Sequence, residues 1–335
     1  MTWIKKLGME YPMIQAPMAG VTTPEFVAAS AEVGLLGSIG AGYLSAEETR
    51  DFIRKVRGLT DKPFAVNLFV PENSELNQEQ LREAYEGLQL IGEKFGMPFW
   101  KVDLSKSEFD EQIQVVIEEG VKVCSFTFGL PDDKAVRLLK DNGVFLIGTA
   151  TTVEEAVLVE QAGMDAIVVQ GSEAGGHRGS FLGELKFIPL NELLVDVGAT
   201  VRLPIIAAGG IANKAHMDGA LKAGAEAVQI GTVLLATDES GAHSLYKKAV
   251  LNAEEGSTVF TTAFSGKTAR GIRNRFMDEM KTAPMAPYPY QNDLTKKLRA
   301  EAAKQGKPEY MSLWAGESVH LTEAGTVREI MGWFI

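Results

Sequence analysis

A glycine-rich segment with one histidine is the part of this sequence best suited to chemistry. It covers residues 170–179, reads QGSEAGGHRG, and directly follows the apolar run AIVV at residues 166–169. Glycine lets the backbone approach a ligand closely and adopt positive φ angles. His177 is the side-chain type that most readily exchanges a proton near neutral pH. The segment therefore predicts either a ligand-binding loop with His177 as a proton-transferring residue or a solvated surface turn.

Two further glycine-containing segments follow apolar runs later in the chain. Gly209 and Gly210 follow PIIAA, and Gly231 and Thr232 follow AVQI. Backbone N–H groups at such positions bind phosphate, and the loops after strands seven and eight of a (β/α)8 barrel commonly form this kind of site. The four residues therefore predict a phosphate site to which Thr232 adds a hydroxyl group, although glycine also serves in simple tight turns.

Neutral amide side chains stand at the ends of four apolar segments, at Gln15, Asn67, Gln170 and Gln229. Each amide offers a donor and an acceptor, which suits a heterocycle with alternating N–H and C=O groups. A phosphate site together with an amide-bonded heterocycle is the outline of bound flavin mononucleotide (FMN). Any one of these amides alone would be an ordinary structural residue, so the interpretation depends on all four lying together.

A repeating pattern of helix and strand indicates how these segments are brought together. Helical stretches end at a glycine, and an apolar strand follows within a few residues. Eight such strands lie near residues 14, 36, 65, 123, 145, 167, 205 and 228. Because they are apolar throughout, they should be buried on both faces of a parallel sheet. Eight units of this size predict an α/β fold, a (β/α)8 TIM barrel, with a doubly wound open sheet as the alternative.

Helix starts within these units are marked by capping residues. Ser45 with Glu48, and Thr152 with Glu155, each have the spacing of a capping box. In a capping box the two side chains bond each other's backbone N–H groups at the start of a helix. We therefore expect a helix to begin directly after Ser45 and another directly after Thr152.

Two segments do not follow the repeating helix–strand pattern of the barrel and predict a smaller subdomain. Residues 71–111 are long, polar and partly helical, whereas residues 241–335 hold helical stretches, an irregular part after residue 254, and the proline-rich run APMAPYPY. Proline cannot continue a regular helix. We therefore divide the chain into an FMN-binding barrel of residues 1–70 and 112–240 and a capping, substrate-side subdomain made of the other two segments.

Composition excludes several classes of partner. The chain has 335 residues and a formal net charge of −11, whereas a protein that binds nucleic-acid backbones needs a basic surface. Its single cysteine, Cys124, lies in a strand-like run and fits a buried thiol in a reducing compartment. The first residues lack the apolar core of a signal peptide, and no apolar run approaches the roughly 18 residues of a membrane helix. We expect a cytoplasmic protein with neither nucleic-acid nor membrane partners.

The remaining histidines and basic residues predict no metal site. No metal-ligand spacing relates the four histidines, at positions 177, 216, 243 and 320. A small basic group is typical of an ion-paired surface but would alternatively attract an anionic substrate; it consists of Lys267, Arg270, Arg273 and Arg275. No exposed apolar stripe fixes an oligomeric state, and a homodimer is left open.

Five motifs in this order resemble the nitronate monooxygenases, formerly called 2-nitropropane dioxygenases: QAPMAGVTTPEF, GTATTVEEA, VVQGSEAGGHRGSF, PIIAAGGIA and VQIGTVLLAT. The resemblance spans residues 12–277, with a weaker tail. It implies an FMN-dependent barrel in which His177 is the catalytic residue. By similarity, FMN is contacted by Asn67, Gln170, Gly175, Gly210, Gln229, Gly231 and Thr232. Neighbours at the same strand ends complete the expected cofactor site, namely Ala16, Pro17, Met18, Gly176, Gly209 and Ile230.

The resemblance also implies a reaction, the oxidation of alkyl nitronates by O2 to a carbonyl compound and nitrite. His177 would hold the anionic nitronate by a hydrogen bond or a positive charge, or act as a general base towards a neutral nitroalkane. Tyr288 and Tyr290, in the proline-rich run, are candidates to line the substrate site, although both would serve equally as packing aromatics. The expected partners are thus a small-molecule substrate and O2.

Two other functions are compatible with the same residues. The first is an FMN-dependent NAD(P)H reductase on the same scaffold, of the enoyl-acyl-carrier-protein or quinone type. The second is a non-redox barrel that binds a phosphorylated metabolite. A nitronate oxidiser would have its flavin reduced by nitronate, a reductase by NADH or NADPH, and a non-redox barrel would carry no flavin.

Overall fold

The computed structural model describes residues 3–72 and 77–335. Residues 73–76, which belong to the predicted capping segment 71–111, lie outside the described residues. The strands, in chain order, are β1 Met13–Gln15, β2 Gly37–Gly40, β3 Phe64–Phe69, β4 Val123–Thr127, β5 Phe145–Ala150, β6 Ala166–Gln170, β7 Gly176–His177, β8 Ile205–Ala208, β9 Ala227–Ile230, β10 Thr258–Thr261 and β11 Ala269–Ile272.

Eight of these strands form one parallel sheet that closes into a barrel. Their order is β1-β9-β8-β6-β5-β4-β3-β2, so from β2 to β9 each barrel strand pairs with the next barrel strand along the chain, and β1 pairs with β9. A parallel bridge between Ile14 and Leu36 joins the two ends of the sheet. The predicted (β/α)8 barrel is therefore confirmed, and the doubly wound open sheet is wrong because such a sheet has two free edges.

Helices alternate with the barrel strands and continue beyond them. In chain order they are α1 Trp3–Lys6, α2 Pro24–Glu32, α3 Ala46–Arg57, α4 Gln78–Glu93, α5 Phe109–Glu118, α6 Asp133–Asp141, α7 Val153–Gln161, α8 Leu190–Thr200, α9 Lys214–Lys222, α10 Ser244–Leu251, α11 Arg275–Glu279, α12 Tyr290–Lys304 and α13 Val327–Met331. The capping box of Ser45 and Glu48 forms at the start of α3 as predicted. Of the described helices, none is both long enough and apolar enough to span a membrane.

Alternating residues along each strand supply two separate cores. On β3, Val66 and Leu68 pack under the surrounding helices, whereas Ala65 belongs to a cluster that fills the interior and draws on every barrel strand except β2. Side chains along a strand point to opposite faces in turn. Asn67 therefore shares the inward face with Ala65, one step nearer the carboxyl end of the strand.

A second, smaller sheet lies beside the barrel. It has the antiparallel order β10-β11-β7, and β11 pairs Ala269 with His177 and Arg270 with Gly176. The prediction of an irregular chain after residue 254 is wrong, because β10 and β11 form a hairpin there. Their four-residue strands are too short for a strong alternating pattern.

A second apolar cluster joins the two segments assigned to the capping subdomain. Leu88 of α4 packs with Phe264, Leu298 of α12 and other residues of the C-terminal segment. The last helix is different, since Ile330 of α13 packs into the barrel cluster. The division of the chain into two units stays a prediction.

Candidate functional site

A cavity at the carboxyl ends of the barrel strands brings together most of the residues selected from the sequence. Its lining includes His177 and twelve of the predicted cofactor residues, namely Ala16, Pro17, Met18, Asn67, Gln170, Gly175, Gly176, Gly209, Gly210, Gln229, Gly231 and Thr232. Side chains outside the prediction also line it, among them Tyr43, Phe128, Tyr246 and Trp314. The barrel thus gathers segments that are far apart in the chain at one rim.

Ile230 is not among the residues that line this cavity. It is 1% exposed and packs under the helices, next to Gln229, which faces the cavity. Gln15 lies on the same face of β1 as Met13, which packs under the helices and not in the barrel interior. Its side-chain amide exchanges hydrogen bonds with the backbone of Ser38 on β2. The amide of Gln15 is therefore structural, contrary to the prediction from its position at a strand end.

One end of the cavity offers unused backbone donors. Gly209 and Gly210 have φ angles of +124° and +69°, which residues other than glycine rarely adopt. Among the residues that the structure describes, the N–H groups of Gly210, Gly231 and Thr232 donate to no protein atom. The Thr232 hydroxyl accepts the Gly316 N–H at 3.0 Å and keeps its own hydrogen to donate. This end therefore has the donors that a phosphate requires.

The amides at the strand ends divide by role. Gln170 is occupied by the histidine loop, because its Nε2 donates to the His177 carbonyl at 3.1 Å and its Oε1 accepts the Gly179 N–H at 2.8 Å. Asn67 donates its NH2 to two hydroxyl groups on β4, those of Ser125 and Thr127. That pairing leaves the side-chain oxygen Oδ1 of Asn67, together with the Gln229 side chain, for a ligand.

His177 is held on the small sheet and surrounded by aromatic rings. Its Nε2 lies 2.8 Å from the Ser265 hydroxyl. Ring centroids of Trp314, Phe128 and Tyr288 lie 5.3, 5.7 and 6.2 Å from that of the imidazole. The loop cannot carry a side chain at Gly175, where a Cβ atom would lie 2.5 Å from the carbonyl carbon of Ala315.

The electrostatic surroundings keep the His177 imidazole neutral. Burial lowers its pKa to about 3, and the positive charges of Lys267 and Arg299 act in the same direction. Both causes disfavour the imidazolium form. Of the roles predicted for His177, the structure therefore favours hydrogen bonding or proton acceptance over a fixed positive charge.

This depressed pKa predicts a pH dependence of stability. Between about 3 and the ordinary value of 6.5 the unfolded chain binds a proton at His177 that the folded chain does not. The free energy of unfolding should therefore fall as the pH is lowered from 6.5 towards 3. Urea unfolding of wild type and His177→Asn at several pH values tests this. The variant should show a shallower dependence, and equal slopes would contradict the depressed pKa.

Phe128 is a site residue that sequence reasoning missed. It follows β4 with a φ of +73°, a conformation that a bulky side chain rarely adopts. Its ring packs on Phe69 at 4.6 Å and Tyr288 at 5.3 Å, and the Lys267 ammonium lies 4.7 Å from its centroid. Such backbone strain collects at functional sites. Only its place directly after a predicted strand could have indicated it.

The predicted substrate residues, Tyr288 and Tyr290, are not among the lining of this cavity but line a neighbouring one. Tyr288 contacts the His177 and Phe128 rings, and Tyr290 is the first residue of α12. Both line a second cavity, which shares Tyr43 with the first. Tyr288 is therefore in contact with the His177 ring, whereas Tyr290 is placed only in the lining of the second cavity.

The predicted capping box of α7 forms only in part. Thr152 accepts the Glu155 N–H at 3.2 Å, but the Glu155 carboxylate turns away to other donors. Glu155 is fully buried, and its oxygens accept, at 2.6–3.1 Å, the hydroxyls of Thr151 and Ser180 and the N–H groups of Thr151, Phe181 and Leu182. This carboxylate thus anchors the chain that directly follows His177.

The predicted basic group has three different environments. Arg273 and Arg275 fit the ion-paired surface, since they pair with nearby carboxylates and are more than half exposed. Arg270 is instead buried, stacks over the Phe260 ring at 4.1 Å and pairs with Glu317. Lys267 pairs with Glu72 beside the aromatic rings of the site.

Comparisons with known proteins agree over nearly the whole chain. A family model described as nitronate monooxygenase matches residues 2–334. Probable nitronate monooxygenases of Staphylococcus haemolyticus and Bacillus subtilis are 43% and 42% identical over 334 and 337 residues, covering 98% of this chain and 94% and 96% of theirs.

Solved structures with the same fold include two that align along the full chain. The nitroalkane oxidase of Streptomyces ansochromogenes matches with a TM-score of 0.93 at 36% identity, covering 99% of this chain and 96% of its own. FabK from Thermotoga maritima matches with a TM-score of 0.78 at 32% identity, covering 100% and 94%. Together with the family model and the curated relatives, these likenesses establish that the chain is an oxidoreductase and belongs to the nitronate monooxygenase family.

Proposed function

We propose that this protein uses FMN to oxidise alkyl nitronates with O2, giving a carbonyl compound and nitrite. Membership of the family supports flavin-dependent nitronate oxidation in general. The finer assignment rests on one observation, the imidazole of His177 sharing a single cavity with the free N–H groups of Gly210, Gly231 and Thr232. The family membership sets aside the non-redox barrel considered above.

The residues present fit FMN at both of its ends. The N–H groups of Gly210, Gly231 and Thr232 would hold the phosphate, and the left-handed backbone of Gly210 favours a residue without a side chain there. The side-chain oxygen Oδ1 of Asn67 and the side-chain amide of Gln229 would form hydrogen bonds with the ring system. When bound, an oxidised flavin supplies the acceptor for the electrons of the substrate.

His177 acts on the substrate as a neutral ring. It accepts the α-proton of a neutral nitroalkane if the ring nitrogen that faces the substrate is unprotonated, or hydrogen-bonds an already formed nitronate if that nitrogen carries the hydrogen. Its low pKa is compatible with proton acceptance, because the nitronate formed beside it is an anion that stabilises the imidazolium. The surrounding rings of Phe128, Trp314 and Tyr288 leave an apolar surface that suits a short alkyl chain.

An NAD(P)H-dependent reductase is the second candidate, because the chain also shares its fold with FabK at 32% identity. Anaerobic mixing separates the two functions. We expect purified protein to be yellow and its flavin absorbance to bleach rapidly with an alkyl nitronate and slowly with NADH or NADPH. Rapid bleaching by a nicotinamide without bleaching by nitronate would contradict the proposal. Colourless protein that takes up no added FMN would contradict the cofactor assignment.

A further inference from the structure

Ser265 makes three polar contacts that together decide where its hydrogen lies. Its Oγ is 2.8 Å from His177 Nε2, 3.1 Å from the Lys267 carbonyl oxygen and 3.3 Å from the Lys267 N–H. Ser265 is 1% exposed, so bulk water does not share these contacts. A hydroxyl group has one hydrogen to donate and two lone pairs to accept with.

Only one distribution of hydrogens satisfies all of these groups. Within the described part of the chain, no donor other than the Ser265 hydroxyl reaches the Lys267 carbonyl. If that hydrogen went to His177, the carbonyl would lose its one partner among the described residues, and an acceptor left unpaired away from water costs about 1–3 kcal/mol. If it goes to Lys267, the lone pairs of Oγ accept from the Lys267 N–H and from a hydrogen on His177 Nε2.

We infer that Ser265 is a positioning residue that holds the neutral imidazole of His177 with its hydrogen on Nε2, leaving Nδ1 unprotonated for the substrate. Nδ1 makes no hydrogen bond with any residue that the structure describes. The role of Nδ1 as the proton acceptor rests on the proposed function. With a neutral nitroalkane, the α-carbon–hydrogen bond breaks, the Nδ1–H bond forms, and the electron pair stays on the substrate as the nitronate.

Nitrogen NMR of protein labelled with 15N-histidine tests the tautomer without turnover. A protonated and an unprotonated ring nitrogen have well-separated shifts, and the signals of His177 are those lost in His177→Asn. With flavin-loaded protein near neutral pH, we expect Nε2 to have the protonated type of shift and Nδ1 the unprotonated type. The reverse assignment would overturn the inference and would make Nδ1–H a hydrogen-bond donor to the nitronate.

Variants of Ser265 test its positioning role. In Ser265→Ala the ring should sample both tautomers, so the two nitrogen shifts should move towards each other. Loss of the partner that orients a metal-ligating histidine typically costs about 10–100-fold in affinity or activity, and on that scale we expect kcat with neutral nitroalkane to fall at least about 10-fold. Turnover of preformed nitronate should fall much less, because it needs no base. Ser265→Thr keeps a hydroxyl and should restore both readouts.

A matched control is available in Ser30, which is also fully buried and whose hydroxyl has no hydrogen-bond partner in the described chain. Ser30→Ala should leave the His177 shifts and kcat unchanged. Unchanged shifts and kcat in Ser265→Ala would overturn the inference. Equal losses with nitroalkane and nitronate would also overturn it, because they indicate a merely structural role. If Ser265→Ala does not fold, the wild-type spectrum alone decides.

The two proposals fail in different measurements. If nitronate does not bleach the flavin, the proposed function fails, and the nitrogen shifts of His177 are unaffected by that result. If nitronate bleaches the flavin but Nδ1 is protonated, the proposed function stands and the assignment of the tautomer by Ser265 fails.

Discussion

Replacement of His177 by Asn should lower kcat with a neutral nitroalkane at least about 100-fold, the low end for removal of a general base. Asparagine keeps a hydrogen-bonding side chain of similar reach but cannot accept the α-proton. The flavin content should stay at the wild-type level, because the phosphate donors at Gly210, Gly231 and Thr232 are on other strand ends. The measurement is steady-state kinetics together with the flavin-to-protein absorbance ratio.

The exposed His320 provides the control for this substitution. His320→Asn should retain wild-type kcat and flavin content, since the His320 side chain is exposed and is not among the residues that line the cavity, although Ser318 of the same 3-10 helix is. Wild-type kcat in His177→Asn would remove the imidazole from the mechanism. Loss of flavin together with activity would instead show that His177 serves mainly to maintain the site.

Glu155→Gln should have the largest effect on stability, lowering the free energy of unfolding by about 3 kcal/mol or more. The carboxylate is fully buried and accepts five hydrogen bonds, and bonds to charged groups are worth about 1.5–3 kcal/mol each. An amide of the same shape turns one oxygen into an NH2 group, which then faces donors. The segment after His177 should loosen, so kcat should fall as well.

Urea unfolding at pH 7 measures this loss, and the adjacent residue gives a matched control. Glu154 pairs with Lys186 at 3.0 Å, but both side chains are more than half exposed. Such surface pairs contribute about 0–1 kcal/mol, so Glu154→Gln should remain close to wild type. Equal stabilities of the two variants would contradict the anchoring role of Glu155.

The barrel could be predicted from sequence because its signal is local and repeated. Most barrel strands are apolar runs introduced by a helix that ends at glycine, so the strand positions followed without long-range information. The position of Asn67 or Gln229 at a strand end then placed it at the common rim. The face of the strand was harder to predict, because a shift of one residue reverses it. Gln15 and Ile230 were therefore selected at strand ends, although neither is among the residues that line the cavity.

The remaining part of the site depends on contacts that no local pattern records. Ser265 reaches His177 across 88 residues of sequence. Glu155 has the spacing of a capping box, yet its carboxylate is taken by the loop after His177. The αL conformation of Phe128 is imposed by its neighbours, since the residue type disfavours it. These features arise from tertiary structure, and sequence spacing offered at most a candidate residue for each.

The pairing of His177 with Ala269 on the small sheet limits how this scaffold can be re-engineered. The hairpin β10–β11 belongs to the same C-terminal segment as Tyr288, which contacts the histidine ring. Exchanging that segment for one from a relative would alter substrate preference and displace the imidazole at the same time. Recombination of barrels and caps should therefore keep β7, β10 and β11 from one parent, with crossovers placed outside the hairpin.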